Sequence, residues 1–86
     1  MSAKLESTIK QFILENYLYT DDDTALDRDD SLLGRGIVDS TGMLEIIFFL
    51  EEDLGVNVED HEMIPEYLDS VANLTAFVNA KRQARS

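Results

Sequence analysis

The chain has 86 residues, 44% of them hydrophobic, and a formal net charge of −11 at pH 7. This size and composition predict a single globular domain spanning residues 1–86 and argue against global disorder. The absence of cysteine excludes a disulfide framework and a thiolate metal site. No apolar run is long enough to span a membrane and the N-terminus lacks the apolar core of a signal peptide, so a cytoplasmic monomer is expected.

The charge is unevenly distributed along the chain. From residue 36 to residue 80 there are ten acidic residues and no lysine or arginine. Such a surface repels nucleic acid and anionic lipid, and it attracts basic partner proteins. We therefore predict a protein partner and no nucleic-acid binding, with an ordinary solvated acidic surface as the alternative.

Four helices and no strand are predicted, and the first helix runs from about Ala3 to Leu18. Its apolar residues recur at helical spacing: Leu5, Ile9, Phe12, Ile13 and Tyr17. A loop rich in aspartate follows, from Tyr19 to Val38. Because this loop is longer than most connections in a compact domain, we expect its apolar members to pin it to the core. These are Leu26, Leu32, Leu33, Ile37 and Val38.

The second helix is predicted from Ser40, as its N-cap, to Leu54, with Gly55 ending it. At 100° per residue, one face of this helix is predicted to carry Leu44, Ile47, Leu50 and Leu54. Further apolar residues lie on other sides of the helix, namely Ile46, Phe48 and Phe49. A helix apolar over most of its circumference packs between several neighbours or leaves apolar surface for a partner. Gly42 in its first turn is expected to cost up to ~1 kcal/mol relative to alanine.

The C-terminal third holds the last two predicted helices. A short one begins at Glu59 or Asp60, carries His61 on its surface, and ends at Ile64 because of Pro65. The last helix is capped by Asp69 and Ser70. Its predicted inward face is Val71, Leu74, Phe77 and Val78. We expect residues 82–86 to form a frayed tail.

Ser40 is the strongest functional signal in the sequence. It lies where a glycine-containing loop meets the most apolar helix, so it is expected at a helix N-terminus and exposed to solvent. A serine hydroxyl is a weak nucleophile without an adjacent base, and the sequence offers none. This combination favours a residue that another protein modifies. The alternative is a plain helix cap, worth ~1 kcal/mol.

The order of helices and the motif Gly-x-Val-Asp-Ser at residues 36–40 resemble the acyl carrier protein family, over about residues 5–78. The resemblance also includes Glu45 and the run Leu50–Gly55. It implies an all-α four-helix bundle, with three long helices, one short helix and a long loop between the first two. It further implies that Ser40 receives 4′-phosphopantetheine from coenzyme A through a magnesium-dependent phosphopantetheinyl transferase. Asp39 would contact the metal site of that transferase.

The same resemblance implies the function. Acyl or aminoacyl intermediates would be carried as thioesters on the phosphopantetheine arm and presented to a ligase and to downstream acyl-transfer enzymes of lipid or secondary metabolite biosynthesis. The chain itself would have no catalytic residue. Weak, salt-sensitive docking on an acidic helix suits such a shuttle. The residues predicted to face partners are Thr41, Met43, Glu45, Phe48, Glu51, Glu52 and Asp53.

Departures from the family pattern bear on the cargo. Thr41 follows the serine where carrier proteins commonly have leucine, and Phe48 and Phe49 are bulky for a helix that makes room for a long acyl chain. We therefore expect a small acyl group or an amino acid. An aminoacyl or peptidyl carrier served by a dedicated ligase stays open, as does an unmodified acidic interaction module.

The aspartates of the first loop do not match a calcium-binding loop. An EF-hand loop beginning at Asp21 would place Leu26 and Leu32 at its glycine and glutamate positions. A loop beginning at Asp27 would place Leu32 and Val38 there. No metal site is therefore predicted.

Overall fold

The structure, a computed structural model, describes residues 2–85, so the two ends of the predicted domain, Met1 and Ser86, lie outside the described residues. All regular secondary structure within residues 2–85 is helical. The long helices are α1 (Ser2–Ile13), which continues as a π-helix (Leu14–Leu18), α2 (Ser40–Glu52) and α4 (Val71–Arg85), and the short one is α3 (Pro65–Leu68). Two 3-10 turns lie between them, Asp23–Ala25 and Asp60–Glu62. The predicted all-α bundle is confirmed. No helix of the described chain is long and apolar enough to cross a membrane.

A single hydrophobic core joins the helices. Helix α1 packs along α4, and α3 packs against the same helix. The predicted inward face of the last helix is confirmed, since its four residues are buried. On α1, Leu5, Ile9 and Ile13 are buried, while Phe12 and Tyr17 are half-buried. Each fully buried leucine or isoleucine contributes roughly 1.5–3 kcal/mol. Within the described residues, every buried side-chain polar atom has a hydrogen-bond partner.

The first helix reaches Leu18 as predicted but is not regular to its end. Its last turn is a π-helix, closed by Tyr19 in the left-handed region (φ 54°, ψ 42°), whose N–H donates to the carbonyl of Leu14. Leu14 is buried in the core, which the sequence pattern did not show. One extra residue in a turn hardly changes the spacing of apolar residues, so a π turn is not visible in the sequence.

The long loop is tied to the junction of α3 and α4. The carboxylate of Asp69 accepts hydrogen bonds from the hydroxyl of Ser31 and from the N–H of Leu33 (2.9 Å). The Asp69 carbonyl accepts a third from Leu32 N–H (2.7 Å). Asp69 therefore anchors the loop instead of capping α4, and Ser70 is the cap, accepting from Asn73 N–H (3.0 Å).

Most of the predicted apolar anchors of the loop are confirmed. Leu26, Leu32 and Val38 are buried and Ile37 is half-buried. Leu33 is an exception, because its side chain is 38% exposed. The bond from its N–H to Asp69 fixes its backbone, while the side chain points away from the core.

Helix α2 buries only part of the apolar face predicted for it, namely Ile47 and Leu50. Its buried residues are Gly42, Ile46, Ile47 and Leu50, whereas Leu44 is 48% exposed and Leu54 is only half-buried. Because this helix is apolar on most sides, periodicity alone could not select the inward face. Contacts with α1 select it, among them the stacking of Phe12 on Phe49 at 4.0 Å between ring centroids. The helix also ends earlier than predicted, at Glu52, with Gly55 at φ 71° beyond it.

The prediction that Pro65 ends a helix is wrong, because Pro65 begins α3 as its first residue. At that position the missing N–H of proline has no helical partner to lose. Ile64 before it is extended (φ −127°, ψ 153°), as a residue preceding proline prefers. The predicted short helix before it is a single 3-10 turn, Asp60–Glu62, and His61 on it is exposed as expected.

The predicted frayed tail is also wrong for the described part of residues 82–86. Helix α4 continues to Arg85. The guanidinium of Arg82 donates to the carbonyl of Leu54 (3.2 Å), which ties the end of α4 to the segment after α2.

Candidate functional site

Ser40 is the first helical residue of α2, and the preceding Asp39 is the N-cap. Asp39 is extended (φ −109°, ψ −168°), and its carboxylate accepts a hydrogen bond from Gly42 N–H at 2.8 Å. The prediction that Ser40 itself caps the helix is therefore wrong by one residue. The cap is a charged acceptor, which bonds a backbone N–H more strongly than a hydroxyl does.

The side chain of Ser40 is exposed, and no hydrogen bond within residues 2–85 engages its hydroxyl. The N–H groups of Ser40 and Thr41 have no helical acceptor, because they lie in the first turn. The site thus presents a free hydroxyl at the positive end of a 13-residue helix. No described side chain is bonded to that hydroxyl as a base.

An apolar groove of about 220 Å³ opens beside Ser40. Its walls come from α2, α3, the segment that leads into α3, and the tip of the long loop. The lining residues other than Ser40 are all apolar: Leu33, Met43, Leu44, Ile47, Met63, Ile64, Pro65 and Leu68. The sequence reasoning named only Met43 among them as a site residue. The excess of apolar residues on α2 is the one sequence signal for such a groove. The sequence does not show which segment lies opposite this helix.

A tyrosine from the end of α1 reaches the first turn of α2. The hydroxyl of Tyr17 donates to Glu45 Oε1 (2.6 Å) and lies 3.2 Å from the carbonyl oxygen of Gly42. Burial, followed by the hydrogen bond to Glu45, raises the pKa of Tyr17 above its ordinary value. Sequence reasoning assigned Tyr17 to the core and missed this role, because its partners are 25 and 28 residues away.

Gly42 is buried against the same tyrosine. A Cβ at this position would lie 3.1 Å from Val38 Cβ and 3.4 Å from Tyr17 Cε1. The glycine expected to cost helix stability therefore permits the close approach of α1 and the loop.

The predicted partner residues fall into two groups. Thr41, Phe48, Glu52 and Asp53 are exposed, and Phe48 is 59% exposed. The other three have internal contacts. Met43 lines the groove, Glu45 accepts from Tyr17, and the half-buried Glu51 accepts from Val58 N–H (3.2 Å). Whether any of them contacts a partner stays a prediction.

Three side chains near α3 bring possible metal-ligand atoms within 4.8 Å of one another, namely Glu59, His61 and Glu62. Lys81 Nζ lies 2.6 Å from Glu62 Oε1, and this ammonium holds the pKa of Glu62 below its usual range. Glu62 also accepts from Glu59 N–H at 3.0 Å. Because a cation already neutralises Glu62, the cluster does not favour a metal ion.

Comparisons with known proteins show a likeness to a solved structure. No family model and no curated protein matches the chain. A chain in a solved structure described as "Crystal structure of FAD-dependent dehydrogenase" matches with a TM-score of 0.69 and 35% sequence identity. The match covers 81% of this chain and 97% of that chain, so the two are of similar length. What the likeness shows is a shared small helical fold.

Proposed function

We propose that this protein is a carrier that holds acyl or aminoacyl intermediates as thioesters on a 4′-phosphopantetheine arm attached to Ser40. The observation that carries the proposal is the setting of Ser40: a free, exposed hydroxyl at the start of α2, beside an apolar groove. The resemblance of residues 36–40 to the acyl carrier motif supports it. So does the lack of any base bonded to the serine among the described residues, which suits a substrate of a modifying enzyme.

The residues around Ser40 fit such a group. A phosphodiester at this point would lie beside unpaired N–H groups and the positive end of the helix dipole. The neighbouring carboxylate of Asp39 opposes it, although its bond to Gly42 N–H offsets part of its charge. A magnesium ion of the transferase would offset the rest. The arm, once attached, supplies the thiol that holds the acyl group.

Attachment requires an activated serine. Ser40 Oγ would form the new O–P bond to the phosphopantetheine phosphorus while the bond to the departing 3′,5′-adenosine diphosphate breaks. The hydroxyl proton would pass to a base of the transferase, because no described side chain is bonded to the hydroxyl to accept it. The chain's own part is to present the hydroxyl and to keep it unhindered.

The groove bears on the cargo. Its volume of about 220 Å³ lies below the roughly 300–1,000 Å³ typical of small-molecule pockets. This favours a short acyl or aminoacyl group, partly covered beside its point of attachment. The exposed side of α2, which carries Leu44, Phe48 and Glu52, would meet partner enzymes.

The test is the intact mass of the protein before and after incubation with coenzyme A, magnesium and a promiscuous phosphopantetheinyl transferase. We expect one phosphopantetheine on the native chain and none on Ser40→Ala. Ser7→Ala, an exposed serine on α1, is the matched control and should be modified like the native chain. Circular dichroism would establish that each variant is folded. A folded native chain that gains no mass would contradict the proposal and favour an unmodified acidic interaction module.

A further inference from the structure

The contact between Tyr17 and α2 involves more than ordinary side-chain packing. Tyr17 belongs to the π-helix that ends α1, and such irregular turns are frequent at functional sites. Its ring packs edge-on against Phe12 (6.2 Å between centroids) and lies against Gly42. Its hydroxyl bridges the Gly42 carbonyl and the Glu45 carboxylate. One side chain therefore contacts two consecutive turns of α2.

The start of α2 has few other ties. Within the helix, two hydrogen bonds hold the first turn: Gly42 N–H donates to the Asp39 carboxylate, and Met43 N–H donates to the Asp39 carbonyl (2.9 Å). The preceding residue Val38 is buried, while Asp39, Ser40 and Thr41 are exposed. The position of Ser40 relative to the bundle thus depends on buried Val38, on the packing of Gly42 against Val38 and the Tyr17 ring, and on the Tyr17 hydroxyl.

We propose that Tyr17 is a positioning residue for Ser40, which holds the first turn of α2 through its hydroxyl so that the serine is presented in one orientation. The inference rests on the proposed function of Ser40 as the attachment residue. Glu45 then has a role within the protein, because its carboxylate accepts the hydrogen bond from the Tyr17 hydroxyl. Because the pKa of Tyr17 is raised, the hydroxyl stays a donor at neutral and moderately alkaline pH.

The test compares Tyr17→Phe with Tyr19→Phe. The first change removes the hydroxyl and keeps the ring that packs on Phe12 and Gly42. The second makes the same chemical change two residues away, on a side chain that is 84% exposed. Both variants are expected to remain folded, which circular dichroism would check.

Two quantities are measured on each variant. In hydrogen exchange followed by nuclear magnetic resonance, we expect the amides of Gly42 and Met43 to exchange about tenfold faster in Tyr17→Phe. In phosphopantetheine transfer with the carrier concentration varied, we expect kcat to fall about tenfold with KM unchanged, because Ser40 is misplaced while the exposed side of α2 that carries Leu44, Phe48 and Glu52 is unaltered. Tyr19→Phe should behave like the native protein in both.

The outcomes separate the two proposals. Unchanged exchange in Tyr17→Phe would show that the hydroxyl does not hold the turn. Faster exchange with unchanged kcat would show a purely structural contact. Either result overturns the positioning role while leaving the attachment to Ser40 intact. A native chain that is never modified would overturn the proposed function, and the positioning role with it.

Discussion

Asp39 has two roles in the proposed function: it caps α2, and it lies next to Ser40, where it would contact the metal of the transferase. Its carboxylate caps the helix through Gly42 N–H at 2.8 Å, yet the side chain stays exposed beside the serine. A cap of this kind contributes ~1 kcal/mol. The cap needs only an oxygen acceptor, whereas contact with a transferase-bound metal needs the negative charge. The two roles can therefore be separated by substitution.

We expect Asp39→Asn to change the free energy of unfolding by less than about 0.5 kcal/mol, because asparagine caps helices about as well as aspartate. Asp39→Ala should lower it by about 1 kcal/mol. Both variants should be modified by the transferase much more slowly than the native chain. Urea unfolding and intact mass measure the two effects. Full modification of Asp39→Asn at the native rate would limit Asp39 to its structural role.

Because of the Tyr17 hydroxyl, we expect the free energy of unfolding to depend on pH in the alkaline range. Its pKa is raised in the folded protein, by burial and then by Glu45, with smaller contributions from Asp39 and Tyr19. The protonated form is thus favoured by folding, so the stabilisation is complete below the unfolded pKa of about 10. It is lost as pH rises above that value toward the folded pKa.

The measurement is urea unfolding of the native protein and Tyr17→Phe between pH 8 and about pH 11. The difference in unfolding free energy should be constant up to about pH 9.5 and should shrink above pH 10. Other groups that titrate in this range affect both proteins and cancel in the difference. A difference that stays constant to pH 11 would contradict the raised pKa.

At the scale of elements, the long loop is held by hydrogen bonds to the junction between α3 and α4. Asp69, between α3 and α4, receives the N–H groups of Leu32 and Leu33 and the hydroxyl of Ser31. The loop tip is thereby held so that Leu33 lines the groove beside Ser40. A connection that looks unstructured in sequence thus contributes one wall of the candidate site.

We expect Asp69→Ala to destabilise the protein by about 1–3 kcal/mol, because it leaves the donors on Ser31 and Leu33 without their acceptor. Asp29→Ala removes an exposed loop aspartate and should change stability by less than about 0.5 kcal/mol. Urea unfolding compares the two variants. Equal stability of both would show that the loop does not depend on the Asp69 carboxylate.

At the scale of the molecule, we expect the mutual repulsion of the acidic residues to outweigh the stabilisation by ion pairs. The net charge is −11, while ion pairs near the surface join Arg28 to Glu6, Arg35 to Asp30, and Lys81 to Glu62. Surface pairs contribute about 0–1 kcal/mol each. Added salt screens both the repulsion and the ion pairs. Because we expect the repulsion to be larger, salt should stabilise the protein.

We therefore expect the thermal midpoint to rise between about 0.01 M and about 0.5 M sodium chloride, where the screening length falls from about 30 Å to a few ångströms. Differential scanning calorimetry measures it. A midpoint that falls over this range would mean that the ion pairs dominate.

The sequence by itself determined the features that depend on neighbours a few residues apart: the all-α class, the extent of the first helix, the inward face of the last helix, and the place of Ser40 where loop meets helix. Helix periodicity and turn residues express such local preferences directly. Only the tertiary structure decided which face of α2 is buried, that Asp39 is the cap, that Pro65 begins α3, and that Tyr17 bonds Glu45. It also decided which apolar residues line the groove beside Ser40. Most of these outcomes depend on contacts between distant segments, and on an evenly apolar helix such as α2 several packings satisfy the same local pattern until the rest of the chain selects one.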